Sequence, residues 1–235
     1  QRSRGLGDVY KRQDLDIAIQ GVIDGMRYTR QGQACTAGSR VYIQEKIYDK
    51  VINGAVEKLS KLKMGNALDE GSDIGAIISE EQLKRTLHYM DIAKQTSSAK
   101  VVHGGNQPTG GDYKNGFFYE PTLMSGVPVD SPVCQEEIFG PVACAIPFKT
   151  FEEVMQSAND TPFGLSAVLW TQNLSRALEF VEDIEAGFVQ VNQCVAPRAN
   201  VSYGGLKMSG LGKEYAFDSM ITVSYTHLTL PTKVR

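Results

Sequence analysis

The chain has 235 residues, 42% apolar and 22% charged, which is the composition of an ordinary soluble globular protein. A net charge of -3 gives no basic footprint for nucleic acid, and no apolar run approaches the roughly 20 residues of a membrane-spanning helix. The four cysteines, Cys35, Cys134, Cys144 and Cys194, have no C-x-x-C spacing and only three histidines accompany them, so no metal site is expected and they read as reduced thiols of a cytoplasmic protein.

Residues 1–13 and 223–235 read as non-native ends that resemble translated adapter sequence, which leaves 14–222 as the expected domain. Asp14 is placed to cap a helix carrying Leu15, Ile19, Val22, Ile23 and Met26 at helical spacing and ending near Gly32. Cys35 follows on a turn, Gly32-Gln33-Ala34-Cys35-Thr36-Ala37-Gly38, where Gly32 permits a sharp bend and Gly38 a second close approach. Residues 41–43 suit a short strand. Residues 46–63 suit an amphipathic helix, with Ile47, Val51, Ala55, Leu59 and Leu62 on one face and Lys58, Lys61 and Lys63 in a solvated last turn. Ser79 with Gln82 has the form of a capping box opening a helix to about residue 94, on which His88 is a surface or packing residue.

Val101-Val102 reads as a strand, and residues 104–116, rich in Gly, Asn, Pro and Asp, as a loop. Its glycine pairs lack the ordered spacing of a phosphate cradle and read as turns. Residues 117–119 and 121–124 are extended, and 141–148 form an apolar strand of the buried type. Thr150 and Glu153 make a second capping box, for a helix to about residue 158. Residues 166–170 and 188–191 are strands. Between them Asn173 caps a helix whose expected core face is Leu174, Ala177, Leu178 and Val181. This succession predicts one α/β domain with a mostly parallel sheet.

Cys35 lies among small residues that cannot shield it, between Arg30 and Arg40, whose field would favour the thiolate that attacks carbonyl carbon. By itself the segment reads rather as a small buried hydrophobe, because a lone cysteine needs partners to be a nucleophile. The segment Glu136-Glu137-Ile138-Phe139-Gly140-Pro141 changes that balance. Together with Gly32-Gln33-Ala34-Cys35, Asp14-Leu15-Asp16, Ile77-Ile78-Ser79, Tyr119-Glu120-Pro121-Thr122-Leu123, Phe163-Gly164-Leu165, Val191-Asn192 and Tyr203-Gly204-Gly205-Leu206-Lys207-Met208-Ser209-Gly210, it resembles the aldehyde dehydrogenase superfamily, in that family's order and spacing.

The resemblance implies a three-layer α/β catalytic domain and oxidation of a small-molecule aldehyde to a carboxylic acid with NAD or NADP, through a thiohemiacetal and a thioester on Cys35. It makes Glu137 the acid that holds the nicotinamide ribose hydroxyls and Phe139 the ring beside that ribose. Ala34 and Thr36 would face the aldehyde, and Cys194, in the loop Cys194-Val195-Ala196-Pro197, and Tyr203 would line its entrance. It further implies a homodimer or homotetramer for the whole protein, and a preceding dinucleotide-binding domain carrying the general base and the oxyanion-hole asparagine, so that this stretch alone would be inactive. Two other readings compete: a cysteine-dependent acyltransferase or hydrolase, for which none of His88, His103 and His227 lies in a supporting motif, and a non-catalytic α/β binding module.

Overall fold

The computed structural model describes residues 4–194 and 197–229, with the side chains of 4–14, 112, 222, 223 and 225–229 outside the description. The reading of the two ends as non-native falls in part, at residues 1–3 and 230–235, beyond those limits, as does the middle of the loop from Cys194 to Pro197. Contacts divide the chain into two compact units, Gln1–Val154 and Met155–Arg235.

The first unit opens with helix α1 (Arg4–Gly25). Its backbone is already helical ahead of Asp14, so Asp14 lies within the helix and not at its cap. The helix also ends sooner than expected. Arg27 turns left-handed at φ 58°, a short 3-10 turn follows (Tyr28–Arg30), and Gln31 is left-handed again at φ 55°. The buried Tyr28 hydroxyl anchors this turn by donating to the Thr122 carbonyl at 2.9 Å, and burial raises its pKa well above the usual tyrosine value. There follow β1 (Arg40–Gln44), α2 (Tyr48–Leu59), α3 (Glu80–Gln95), β2 (Lys100–His103), β3 (Thr122–Ser125), the single turn α4 (Pro132–Gln135), β4 (Val142–Phe148) and α5 (Phe151–Asn159).

Among the described residues the strands of this unit form one sheet in the order β1-β4-β3-β2, in which β4 runs parallel to both its neighbours and β2 is antiparallel to β3. Successive side chains on a strand point to opposite faces, and β4 shows it plainly. Val142, Cys144 and Ile146 join a core with Leu83, Tyr89, Met90 and Val133 from α3 and α4. Ala143 and Ala145 join the opposite core, with Ile19, Ile23, Val51 and Ala55 from α1 and α2. A strand buried on both faces reads as a continuous apolar run, which is why 141–148 is legible in the sequence. The result is helix, sheet and helix in three layers.

The second unit takes up the latter part of α5, so the division falls inside a helix and not at a linker of distinctive composition. It contains β5 (Phe163–Gly164), β6 (Ser166–Leu169), α6 (Leu174–Asp183), β7 (Phe188–Val191), β8 (Tyr203–Gly204), β9 (Leu206–Lys207), β10 (Lys213–Glu214) and α7 (Ala216–Thr229). β6 and β7 pair in parallel, while β5 with β9 and β8 with β10 pair antiparallel. Asn173 caps α6 as expected, its side-chain oxygen accepting from the Arg176 amide at 3.2 Å. The predicted core face of α6 is wrong, however. Leu174, Leu178 and Val181 are 72, 57 and 50% exposed, whereas Phe180 and Ile184 are buried. The helix carries two apolar rows at helical spacing, and periodicity cannot rank them. The row with the larger ring, Phe180, is the one that packs.

No helix among the described residues is long and apolar enough to cross a membrane.

Candidate active site

Cys35 and Glu137 are joined by strand order. Cys35 precedes the first residue of β1 by five positions, and Glu137 precedes the first residue of β4 by five. Because β1 and β4 are parallel neighbours, with Arg40 opposite Cys144, their entry loops leave the same end of the sheet. The two loops then touch. A side chain on Gly32 would bring its Cβ to 2.2 Å from the Gly140 carbonyl oxygen and 2.8 Å from Met26, and Gly32 also holds a left-handed φ of 65°. Gly32 is therefore glycine for two reasons, conformation and contact. Gly140 is crowded in turn, since a Cβ there would lie 2.3 Å from Thr86 Oγ1 on α3. Gly38 differs from expectation: a Cβ would find its nearest atom at 3.7 Å, an ordinary contact, so no close approach requires glycine there.

Cys35 is exposed and sits with Thr36 at the centre of a turn closed by the Ala37 amide donating to the Ala34 carbonyl at 2.9 Å. Gln33 fixes the turn from beneath, its side-chain oxygen accepting from the Ile78 amide at 3.0 Å while its amide nitrogen donates to Gln31. Arg40 donates to the Tyr42 hydroxyl at 3.2 Å and stacks on that ring.

Helix α3 holds the second loop. Ser79 caps it as predicted, accepting from the Gln82 amide at 3.2 Å. The Gln82 side chain does not close the capping box. It crosses to the loop and donates to the Ile138 and Phe139 carbonyls at 2.9 and 2.7 Å. Arg85, one turn on, donates through Nε to the Glu137 carbonyl at 3.1 Å. Tyr89, a further turn on, donates to a Glu136 carboxylate oxygen at 2.6 Å, and its pKa is raised by burial and then by that bond. The backbone acceptors of the loop are thus taken up, and Phe139 is held left-handed at φ 56°, a conformation that costs a non-glycine residue energy and persists only where the surroundings impose it. The exposed Glu137 carboxylate is what the loop has left to offer a ligand.

Cys35, Ala34, Glu137 and Phe139 line one pocket of about 30 Å³, closed beneath by Met26, Ile138 and Val142. That is roughly the space of one water molecule, enough for the reacting end of a ligand and not for a whole one. Thr36 flanks the thiol in the turn but does not line the pocket. Cys194, half-buried, and Tyr203, whose ring meets Phe188 and Tyr215 edge to face at 5.2 and 6.1 Å, belong to the second unit. A larger open cleft of about 1220 Å³ lies along Lys63, Asn66, His103 and Glu120, and none of the residues expected to carry chemistry lines it. Sequence reasoning missed Gln82, Arg85 and Tyr89 as supports of the loop. Their spacing along one face of α3 was the signal, but Gln82 was read only as part of a capping box, and Arg85 and Tyr89 were not singled out.

The pattern of the aldehyde dehydrogenase family matches residues 8–228. An aldehyde dehydrogenase of Deinococcus radiodurans is 41% identical over 200 residues, covering 85% of this chain and 38% of that protein. A betaine aldehyde dehydrogenase of Mesorhizobium japonicum is 35% identical over 216 residues, covering 92% and 44%. Among solved structures, a betaine aldehyde dehydrogenase of Staphylococcus aureus in complex with NAD+ superposes with a TM-score of 0.85 at 32% identity, covering 89% of this chain and 41% of that one. The chain therefore spans about two fifths of the length of these relatives. With the family's pattern running through nearly all of its residues, this chain belongs to the aldehyde dehydrogenase family.

Proposed function

We propose that this chain supplies the catalytic part of an enzyme that oxidises an aldehyde to a carboxylic acid with NAD+ or NADP+. The observation that carries the reading is the meeting of Cys35, Glu137 and Phe139 in one pocket, from segments about a hundred residues apart. The NAD+ complex of the Staphylococcus aureus relative supports the choice of cofactor.

The Cys35 thiolate attacks the aldehyde carbon and forms a thiohemiacetal. Negative charge then develops on the former carbonyl oxygen, where the backbone N–H of Cys35 serves as a donor. A bound nicotinamide supplies the acceptor for the hydride that leaves as the thiohemiacetal becomes a thioester. Hydrolysis by water releases the acid and restores the thiolate. Glu137 accepts hydrogen bonds from two neighbouring ribose hydroxyls at once, which its exposed carboxylate on an immobilised backbone suits. The Phe139 ring flanks that ribose. Ala34 borders the aldehyde beside the thiol; for Thr36, Cys194 and Tyr203 a substrate role rests on the resemblance.

The test is aldehyde-dependent formation of NADH or NADPH by a protein that carries this chain together with the further length its relatives possess. Turnover lost in Cys35→Ser supports the reading, because an unactivated hydroxyl is a far poorer nucleophile than a thiolate. Ester hydrolysis at Cys35 with no reduction of either nucleotide would overturn it in favour of acyl transfer.

A further inference from the structure

We infer that Glu136 is a positioning residue for Glu137, acting through Tyr89 and Arg85 to aim the neighbouring carboxylate at the nicotinamide ribose. The inference rests on the ribose role proposed above for Glu137. The two acids are adjacent, yet they have different surroundings. Glu137 lines the pocket that Cys35 also lines. The Glu136 carboxylate turns back to α3, where one oxygen accepts from the Tyr89 hydroxyl at 2.6 Å, within the range of a charge-assisted bond.

The contacts close a ring. Tyr89 is 3% exposed, and its hydroxyl donates to Glu136 while accepting from Arg85 Nη2 at 3.3 Å. The Arg85 guanidinium lies over the Tyr89 ring, 5.3 Å from its centroid, and donates through Nε to the Glu137 carbonyl at 3.1 Å. From that carbonyl the backbone leads straight back to Glu136. The Cα of Glu137 therefore lies between two anchors, the Glu136 side chain on one side and its own carbonyl on the other, and the direction of its Cβ follows from them. Burial, and then the bond to Glu136, raise the Tyr89 pKa, so the hydroxyl keeps its proton and remains a donor at neutral pH. A carboxylate that must accept from two hydroxyls at once tolerates little misplacement, and one on a loose backbone would lose binding free energy to ordering. The first acid of the pair thus braces the loop, and the second is presented to the ligand.

The test compares Glu136→Ala, Glu136→Gln, Tyr89→Phe, Glu137→Ala and the double variant Tyr89→Phe with Glu137→Ala, in a protein that carries this chain with the further length its relatives possess. Glu136→Ala and Tyr89→Phe should each raise the cofactor KM or slow hydride transfer about fivefold or more. The aldehyde KM and the rate at which iodoacetamide alkylates Cys35 should not move. Glu136→Gln keeps an acceptor for the Tyr89 hydroxyl and should stay near the unsubstituted enzyme. On the Glu137→Ala background Tyr89→Phe should add nothing, because the group it positions is gone. Its full effect there would mean that Tyr89 serves only the general structure, and overturns the inference. Unchanged cofactor terms in Glu136→Ala and Tyr89→Phe beside a defective Glu137→Ala overturn it too, and leave the ribose role standing. Unchanged cofactor terms in Glu137→Ala would remove the ribose role and this inference with it. Glu136 is exposed and Tyr89→Phe keeps the buried ring, so folding is not what these variants put at risk.

Discussion

Gly32 is the residue at which the two halves of the candidate site meet. Gly32→Ala must accept a left-handed backbone and a Cβ at 2.2 Å from the Gly140 carbonyl. Strain and overpacking together should cost about 3 kcal/mol, seen as a fall in Tm of roughly 6–12 °C for a domain of this size. A Tm within a degree or two of the unsubstituted chain would show that the loops are not in this contact. At the thiols the expected order of iodoacetamide labelling in the folded chain is Cys35 first, then Cys194, with Cys134 and Cys144 last, following exposure. Mass spectrometry of each cysteine peptide reads it, and equal rates at all four would count against Cys35 as the nucleophile. For Glu137→Gln, loss of a charged acceptor is worth about 1.5–3 kcal/mol. The whole enzyme should therefore lose tenfold or more in cofactor KM or in hydride-transfer rate, with no change in Tm. Unchanged kinetics in both terms would remove the ribose role.

The behaviour of α3 depends on where Gln82 points. In an ordinary capping box glutamate serves as well as glutamine at this position. Here the side chain must donate to two carbonyls, and a carboxylate cannot. Gln82→Glu should accordingly destabilise as much as Gln82→Ala, by about 2 kcal/mol, whereas Ser79→Ala should cost only the cap, about 1 kcal/mol. Thermal denaturation of the three variants is the check, and a neutral Gln82→Glu would restore the simple box. The same helix shows what the sequence could convey. Its start at Ser79 was legible because capping is local chemistry, and Cys35 and Glu137 were legible because each lies in a recognisable motif. The use of Gln82 was not legible, because it is decided by a loop 56 residues away. The packed row of α6 was hidden for a related reason: Leu174 and Phe180 lie on different rows of equal periodicity, and only the tertiary neighbours choose between them.

For the molecule as a whole, the exposed row of α6 leaves apolar surface in water. Leu178→Lys with Val181→Lys should change Tm by no more than a degree or two, because surface substitutions are usually within about 0.5 kcal/mol. It should also reduce binding of a hydrophobic dye. A large loss of stability would show that the row is packed after all.

The pairing of β1 with β4 also has a consequence in time. Arg40 and Val142 are 102 positions apart. At the usual ~5–20 residues per second, a ribosome takes roughly 5–20 s to pass from one to the other. Throughout that interval Cys35 is on the growing chain with no pocket around it, since its far wall has not been synthesised. Parallel partners so distant also meet slowly once both are made. The thiol is thus older than the pocket it lines, and the nascent chain carries it uncovered through the period when it has least to protect it.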